Sequence, residues 1–274
     1  MKFGTSLAIN FKIKSILDFL ETAALKKLSA VELVIEPPHC FIDGLTEQKR
    51  KEIKSKAEEL GLELTIHATF ADINLGSLNP NVRRFALKEI KKCIRLASEL
   101  EAKIVTVHPG DLGAIGITFP EKTKNQITKS LVELTEFAIK MNVKIGLENM
   151  PICPWIQLED IYTPEGIRSF VETVDSSTLG ITWDIGHSNT TNIPLEEFFK
   201  AFAKYLIHVH LNDNEGIKNG WRDTHLEVGQ GSINWGGVYE KLQEINYPGL
   251  LIFELRNWQM IDNSLAFIHN IRKD

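Results

Sequence analysis

Residues 63–108 read ELTIHATFADINLGSLNPNVRRFALKEIKKCIRLASELEAKIVTVH, and this stretch decides the fold. Short β-rich runs at 63–67 and 103–108 flank a longer segment, 80–100, whose apolar residues recur every three or four positions. That spacing predicts a helix with one buried face, and Pro80 suits its first turn. A strand, a helix and a second strand in this order predict a βαβ unit with parallel strands.

The same alternation continues in both directions along the chain. Further strands are predicted near residues 2–8, 30–35, 144–148, 179–184, 206–211 and 249–254. Further helices are predicted near residues 15–28, 46–60, 122–141, 164–174, 194–204, 235–245 and 258–270. Eight βα units without a Pro-, Gly- or Ser-rich linker predict one α/β domain over residues 1–274, a single (β/α)8 TIM barrel rather than an open doubly wound sheet.

The composition excludes several other classes of protein. With 43% hydrophobic and 24% charged residues, the chain of 274 residues can bury a sizeable core and is not intrinsically disordered. A net charge of −5 argues against a dedicated polyanion-binding protein. The apolar runs fall far short of the ~20 residues that span a bilayer. Because the N-terminus lacks a signal-peptide pattern and the cysteines lack metal-type spacing, we expect a cytoplasmic protein.

Imidazole and carboxylate groups stand at the ends of six predicted strands, and the loop after the seventh strand adds an Asp-x-His pair. The nine residues are His67, His108, Glu148, Asp184, His187, His210, Asp223, His225 and Glu254. In a barrel, all strands end at one rim, where the chemistry of the fold lies. Uncompensated carboxylates would repel there, whereas together with imidazoles they bind divalent cations. The strand ends therefore predict a metal site, with zinc as first choice and manganese, magnesium, cobalt or iron as alternatives.

Polar residues also occupy the positions two residues before several strand ends. These are Thr65, Thr106, Thr182 and His208. Because side chains alternate along a strand, they point to the same face as the ligands, one layer deeper. We expect them to orient the ligands; simple filling of the barrel interior is the alternative.

Four residues of the rim loops are candidates for substrate binding. Trp155 and Trp221 suit a wall against a sugar ring or a base, or else the packing of a lid. Arg222 and Arg256 suit a substrate phosphate, which a guanidinium group binds with two parallel hydrogen bonds. Surface salt bridges are the alternative for both arginines.

Several segments at these strand ends together resemble the xylose isomerase-like TIM-barrel superfamily. They are residues 66–75, 105–110, 147–150, 184–187, 208–213 and 223–231. The superfamily includes sugar phosphate isomerases and epimerases as well as endonuclease IV (AP endonuclease family 2). The resemblance extends over essentially the whole chain, but it does not choose the reaction.

The two branches of the superfamily imply different uses of the rim. In the isomerase branch, the resemblance implies one divalent ion on Glu148, Asp184, His210 and Glu254. The two glutamates would then move a proton beside a polarised carbonyl, and His187 would hold a substrate oxygen. In the endonuclease IV branch, the resemblance implies three zinc ions on all nine residues, with a hydroxide that attacks a phosphodiester.

The charges of the rim loops favour the isomerase branch. Binding of duplex DNA needs several Lys and Arg contacts to phosphates, but acidic residues outnumber basic ones there, and residues 36–44 contain no Lys or Arg. We therefore predict a metal-dependent isomerase or epimerase of a sugar or sugar phosphate, with one to three ions and Glu148, Glu254 and His187 as catalytic residues. The alternatives are a tri-zinc hydrolase of abasic-site DNA or another phosphate ester, and a non-catalytic metal or sugar binder. The oligomeric state and the sugar stay open.

Overall fold

Eight parallel strands close into a barrel in the computed structural model, which describes residues 1–152, 158–217 and 223–271. Each strand pairs with its neighbours in sequence, and the first strand also pairs with the last. The strands are β1 (Lys2–Leu7), β2 (Ala30–Val34), β3 (Glu63–His67), β4 (Ile104–Val107), β5 (Lys144–Glu148), β6 (Leu179–Asp184), β7 (Leu206–Leu211) and β8 (Leu250–Phe253). The predicted (β/α)8 barrel is confirmed.

The helices lie in the sequence between the strands and after the last one. They are α1 (Ile16–Leu25), α2 (Glu47–Leu60), α3 (Pro80–Glu99), α4 (Gly113–Gly116), α5 (Pro120–Met141), α6 (Pro164–Val174), α7 (Ile185–Asn189), α8 (Leu195–Phe202), α9 (Trp235–Glu244) and α10 (Trp258–Ile271). The two shortest, α4 and α7, were not predicted, because four or five residues do not complete the two turns over which apolar spacing becomes visible. None of the helices in the described ranges is long and apolar enough to cross a membrane.

Local signals in the sequence set the ends of the helices. Thr46 caps α2, since its hydroxyl accepts a hydrogen bond from the backbone N of Lys49 at 3.3 Å. The same helix ends at Gly61, whose φ of +67° is a left-handed conformation that glycine adopts without strain. Pro80 stands at the start of α3, after the capping residue Asn79.

The interior of the barrel changes from apolar to polar along the strand direction. At the N-terminal end, Ala30 and Ile252 are buried beside Gly4, where an added Cβ would lie 2.6 Å from the carbonyl oxygen of Ala30. Two residues further along β2 the inward position is Glu32, which is completely buried. The next layer lies at the C-terminal rim and contains strand-end residues such as Glu148. The polar layers thus lie above an apolar layer at the N-terminal end of the barrel interior.

Candidate metal centre

Four strand-end residues meet at the middle of the rim and form what we call the central cluster, Glu148, Asp184, His210 and Glu254. One ligand atom from each lies within 4.8 Å of the others. The Nδ1 atom of His210 lies 2.8 Å from Glu148 Oε1 and 3.3 Å from Glu254 Oε1. Glu148, Asp184 and His210 are completely buried. Three carboxylates and one imidazole therefore point at one small volume.

A second group lies on the other side of Glu148. His67 Nε2 and His108 Nε2 lie 3.2 and 2.9 Å from Glu148 Oε2, whereas Oε1 of the same carboxylate faces His210. Phe70 covers this group, because its ring stacks on the ring of His108 with centroids 5.0 Å apart. Glu148 is thus shared between the central cluster and the two histidines.

A third group joins the end of β6 to the loop after β7. Asp223 Oδ2 lies 3.3 Å from His187 Nε2 and 3.0 Å from His225 Nε2. The other oxygen of Asp223 is buried without a hydrogen-bond partner among the described residues. All nine predicted ligands therefore lie together at the rim, in the three groups that the superfamily resemblance implies.

The central cluster fits a divalent cation. Zinc binds imidazole nitrogen and carboxylate oxygen at about 2.0–2.2 Å, so donor atoms on one ion are at most ~4.4 Å apart. The four donors of the cluster already lie within 4.8 Å of one another. Burial of three carboxylates at this distance is costly unless positive charge compensates them. Small movements of these side chains would be enough to coordinate an ion.

The pKa values of the two cavity-facing glutamates of the cluster are shifted in opposite directions. Burial raises the pKa of Glu148, but the positive charges of His210 and His108 outweigh burial and hold its pKa well below the usual range. Burial raises the pKa of Glu254 to about 7; Glu148 and Asp184 act in the same direction, and His210 opposes them. In the metal-free protein, Glu148 thus favours its ionised form and Glu254 holds a proton more strongly.

Two asparagines that we did not predict hold Asp184 and His187 in place. The Asn149 side chain bonds to the backbone N and O of Asp184, and the backbone carbonyl oxygen of Asn149 accepts from His187 Nδ1 at 2.8 Å. Asn212 Nδ2 donates to Asp184 Oδ2 at 2.8 Å, and Asp184 Oδ1 accepts from the backbone N of His187. In the sequence, Asn149 directly follows Glu148 and Asn212 lies two residues after His210, and this nearness to predicted ligands was the available signal.

The four polar residues predicted one layer deeper divide into two pairs. Thr106 and Thr182 bond to each other, with 3.1 Å between their hydroxyl oxygens. Thr65 Oγ1 and His208 Nε2 instead reach Glu32, at 3.0 and 2.8 Å from its Oε2 atom. Among the described residues, none of the four makes a direct hydrogen bond to a predicted ligand; their effect on the ligands stays a prediction.

Glu36, also missed by the sequence reasoning, fixes the loop after β3. Its Oε1 atom accepts three hydrogen bonds of 2.7–2.8 Å, from Thr69 Oγ1 and from the backbone N atoms of Phe70 and Ala71. These bonds hold Phe70 where its ring meets His108. The sequence feature that could have pointed to Glu36 is its place just beyond β2, a strand of buried residues.

A cavity of about 290 Å³ opens onto the site. Seven of the nine predicted ligands line it, while Asp184 and His210 do not. The walls beyond the ligands are mainly apolar, with Ile9, Phe70 and Met150 among them. A larger groove of about 630 Å³ beside α8 and α9 is lined by none of the nine.

Of the four predicted substrate-binding residues, only one is described by the structure. Arg256 lines the cavity and donates through Nη2 to the backbone oxygen of Thr224 at 2.8 Å. Trp155, Trp221 and Arg222 lie outside the described residues, so their roles stay predictions.

Residues 20–271 of the chain match the sequence model of a known protein family, the xylose isomerase-like TIM barrel. The chain belongs to this family. The resemblance recognised in its motifs is confirmed.

Two relatives match this chain over nearly its whole length. An uncharacterized protein of Methanocaldococcus jannaschii is 36% identical over 259 residues, which cover 94% of this chain and 84% of the relative. A crystal structure of a D-tagatose 3-epimerase-like protein is 33% identical, with a TM-score of 0.88, and the match covers 100% of this chain and 97% of that one.

The names of two more distant relatives indicate two different classes of reaction. A 3-dehydro-D-guloside 4-epimerase of Escherichia coli is 24% identical over 226 residues, which cover 78% of this chain and 80% of the relative. A probable endonuclease 4 of Sulfurihydrogenibium is 22% identical over 222 residues, which cover 76% and 77%. Because these identities are nearly equal, the choice between the reactions depends on the site.

Proposed function

We propose that this chain is a divalent-metal-dependent epimerase or isomerase of a small sugar. The observation that carries the proposal is the pair Glu148 and Glu254, which lie against the same nitrogen of His210 and both line the cavity. Their surroundings shift their pKa values in opposite directions, as described above. Such a separation is typical of a base and an acid that act on one substrate.

The central cluster would hold the cation of this reaction. When bound, the cation supplies a Lewis acid that polarises the carbonyl and hydroxyl oxygens of the substrate. The set of three carboxylates and one imidazole suits zinc, manganese, magnesium, cobalt and iron.

The two glutamates would carry the proton. Glu148 in its ionised form takes a proton from the carbon next to the carbonyl, and Glu254 in its neutral form gives one back. If the proton returns to the opposite face of the carbon, the configuration is inverted, so two separate carboxyl groups suit an epimerase. His187, whose Nδ1 is bonded to Asn149, would hold a substrate oxygen through Nε2.

The cavity favours a free sugar as the substrate. Its volume of about 290 Å³ is near the lower end of the ~300–1,000 Å³ range of small-molecule sites. Among the described residues, Arg256 is the only Lys or Arg that lines it, and this side chain already bonds to Thr224. A phosphate group would gain few charge-assisted hydrogen bonds there.

A tri-metal hydrolase of a phosphate ester is the second candidate. The groups around His67 and His108, and around His187, Asp223 and His225, favour it. A one-ion sugar reaction does not require these additional ligand groups. Among the described residues that line the cavity, Arg256 alone is basic, which argues against a DNA substrate.

Sugar turnover in heavy water distinguishes the two candidates. Protein loaded with Mn²⁺, Co²⁺ or Zn²⁺ is incubated with a panel of free ketoses, and NMR follows new epimers and deuterium at the inverted carbon. We expect epimers with deuterium at that carbon, and elemental analysis near one ion per chain. Nicking of an abasic-site duplex that Glu148→Gln abolishes, with no sugar turnover and near three ions per chain, would overturn the proposal.

A further inference from the structure

A buried carboxylate holds His210 from the side opposite the central cluster. We propose that Glu32 is a positioning residue, which fixes the imidazole of His210 so that Nδ1 faces the metal. The inference rests on the metal site of the proposed function, and it assigns a role to a residue outside the nine ligands.

The contacts place His210 between two carboxylates. Its Nδ1 atom lies 2.8 Å from Glu148 Oε1, and its Nε2 atom lies 3.0 Å from Glu32 Oε1. Neither His210 Nε2 nor Glu32 Oε1 has a hydrogen-bond partner among the described residues, so the contact between them is a short electrostatic one. One nitrogen is therefore directed toward the proposed metal and the other toward Glu32.

Glu32 is itself held at its other oxygen. Thr65 Oγ1 donates to Oε2 at 3.0 Å, and His208 Nε2 lies 2.8 Å from the same atom. Glu32, His208 and His210 are completely buried, and Thr65 is nearly so. Thr65 and His208, which were predicted to orient the ligands, thus contact Glu32, and Glu32 in turn contacts His210.

The cost of burying Glu32 argues against a space-filling role. Barrel interiors are normally filled by branched apolar side chains, and a buried carboxylate is unfavourable unless charged and hydrogen-bonding partners surround it. Here the partners on β3 and β7 surround it, with hydrogen bonds at Oε2 and the imidazole of His210 at Oε1, and His210 is a predicted ligand. An apolar residue of similar size would fill the same volume without this cost.

The chemical effect of Glu32 follows from the two nitrogens of imidazole. Because His210 Nε2 lies 3.0 Å from Glu32 Oε1, a proton on Nε2 is favoured electrostatically, which leaves Nδ1 free for a metal, and rotation of the ring about χ2 would lose the contact. Removing such a carboxylate typically weakens metal binding by about 10–100-fold. Glu32 would therefore act on metal affinity through His210, without touching the substrate.

Metal affinity of the metal-stripped full chain tests the inference. Titration with Co²⁺ gives the apparent Kd and the absorption spectrum of the bound ion, and chelator competition gives the Kd for Zn²⁺. We expect Glu32→Gln to bind about 10–100-fold more weakly, with an altered Co²⁺ spectrum. Wild-type affinity and an unchanged spectrum in this variant would overturn the proposal.

Two buried threonines provide a matched pair of milder variants, which serve if Glu32→Gln does not fold. Thr65→Val removes a hydrogen bond to Glu32, whereas Thr135→Val changes a buried threonine of the outer helix α5. We expect Thr65→Val to weaken Co²⁺ binding several-fold and Thr135→Val to stay within about twofold of wild type. Equal losses in both would show a general packing effect and overturn the role of Glu32.

The same measurements separate this inference from the proposed function. Wild-type protein that binds Co²⁺, loses affinity on Glu32→Gln and yet turns over no sugar contradicts the epimerase and supports the positioning role. Full sugar turnover together with unchanged metal affinity in Glu32→Gln supports the epimerase and refutes the positioning role.

Discussion

Asn149 is bonded to both backbone polar groups of Asp184: its Oδ1 atom accepts from the N–H and its Nδ2 atom donates to the carbonyl, each at 2.9 Å. The side chain therefore continues the pairing of β5 and β6 past its last backbone pair, Glu148 with Thr182. Because Asp184 and Glu148 are both predicted ligands, this clamp sets the distance between them.

Replacing Asn149 should weaken both the fold and the metal site. Asn149→Ala removes the side-chain partner of the buried N–H of Asp184, at a cost of about 1–3 kcal/mol, whereas the Asp184 carbonyl keeps the hydroxyl of Ser188 at 3.1 Å. We expect the free energy of unfolding to fall by about 1–3 kcal/mol and the Kd for Co²⁺ to rise by roughly tenfold. Denaturant titration and Co²⁺ absorbance measure the two effects. Asn263→Ala, an exposed change on α10, serves as the control and should stay within about 0.5 kcal/mol of wild type.

The acid and base roles predict different isotope patterns for the two glutamates. At saturating metal, Glu254→Gln should lower epimerisation by about 10²–10⁴-fold and still exchange deuterium into the epimer that Glu148 deprotonates. Glu148→Gln should show the converse, with exchange confined to the other epimer. NMR in heavy water, started from each pure epimer, measures both effects. Exchange that is lost equally from both epimers in both variants would contradict the assignment, and Glu89→Gln on α3 is the control.

The metal-free protein should lose stability as the pH rises from about 5 to 9. Burial lowers the pKa of His67 and of His225, but contacts with Glu148 and Asp223 respectively outweigh burial and raise each pKa to about 9. The folded form therefore holds these protons more tightly than the unfolded chain, and their stabilisation is complete below about pH 6.5.

Glu254 acts in the same direction, since its pKa of about 7 exceeds its ordinary value of 4.5. Calorimetry of the metal-free protein should show a midpoint that falls by roughly 5 °C or more between pH 6.5 and 9. Added Zn²⁺ binds the folded protein and not the unfolded chain, so it should reverse the loss. A midpoint that stays level or rises over this pH range without metal would refute the prediction.

The contact between Asn212 and Asp184 requires a glycine at position 186. A Cβ atom on Gly186 would lie 1.8 Å from Asn212 Oδ1, so Gly186→Ala must displace the amide that donates to Asp184. We expect a loss of about 1–3 kcal/mol in the free energy of unfolding and weaker metal binding. Gly44→Ala is the matched control, since an added Cβ there meets nothing within 4 Å and should change neither. Equal effects of the two substitutions in urea titrations would contradict this role.

Much of the fold could be predicted because the βα repeat is strongly periodic. The rule that barrel strands end at one rim then brought His67 and Glu254 together although 187 positions separate them in the sequence (254 − 67). The sequence alone did not reveal Glu32, because a single glutamate in the run AVELV gives no sign of the partners that would compensate its buried charge. Its burial depends on the partners Thr65 and His208, which come from other strands.

The asparagine clamps were missed for a different reason. Asn149 and Asn212 stand beside ligands in the chain, but asparagine is common in loops, where it bonds to its own backbone. Only the three-dimensional arrangement shows that Asn149 reaches across to β6. The predicted roles of Trp155, Trp221 and Arg222 in substrate binding can be tested by substitution.

The apolar layer of Gly4, Ala30 and Ile252 packs tightly across the N-terminal end of the barrel interior. Among the described residues, Phe70 and Arg256 line the cavity at the opposite end, where the predicted ligands lie. A compound bound in this cavity would therefore obstruct the entry of substrate and the exit of product at the same place. Substitutions in the apolar layer are expected to change stability and to leave the predicted ligands in position.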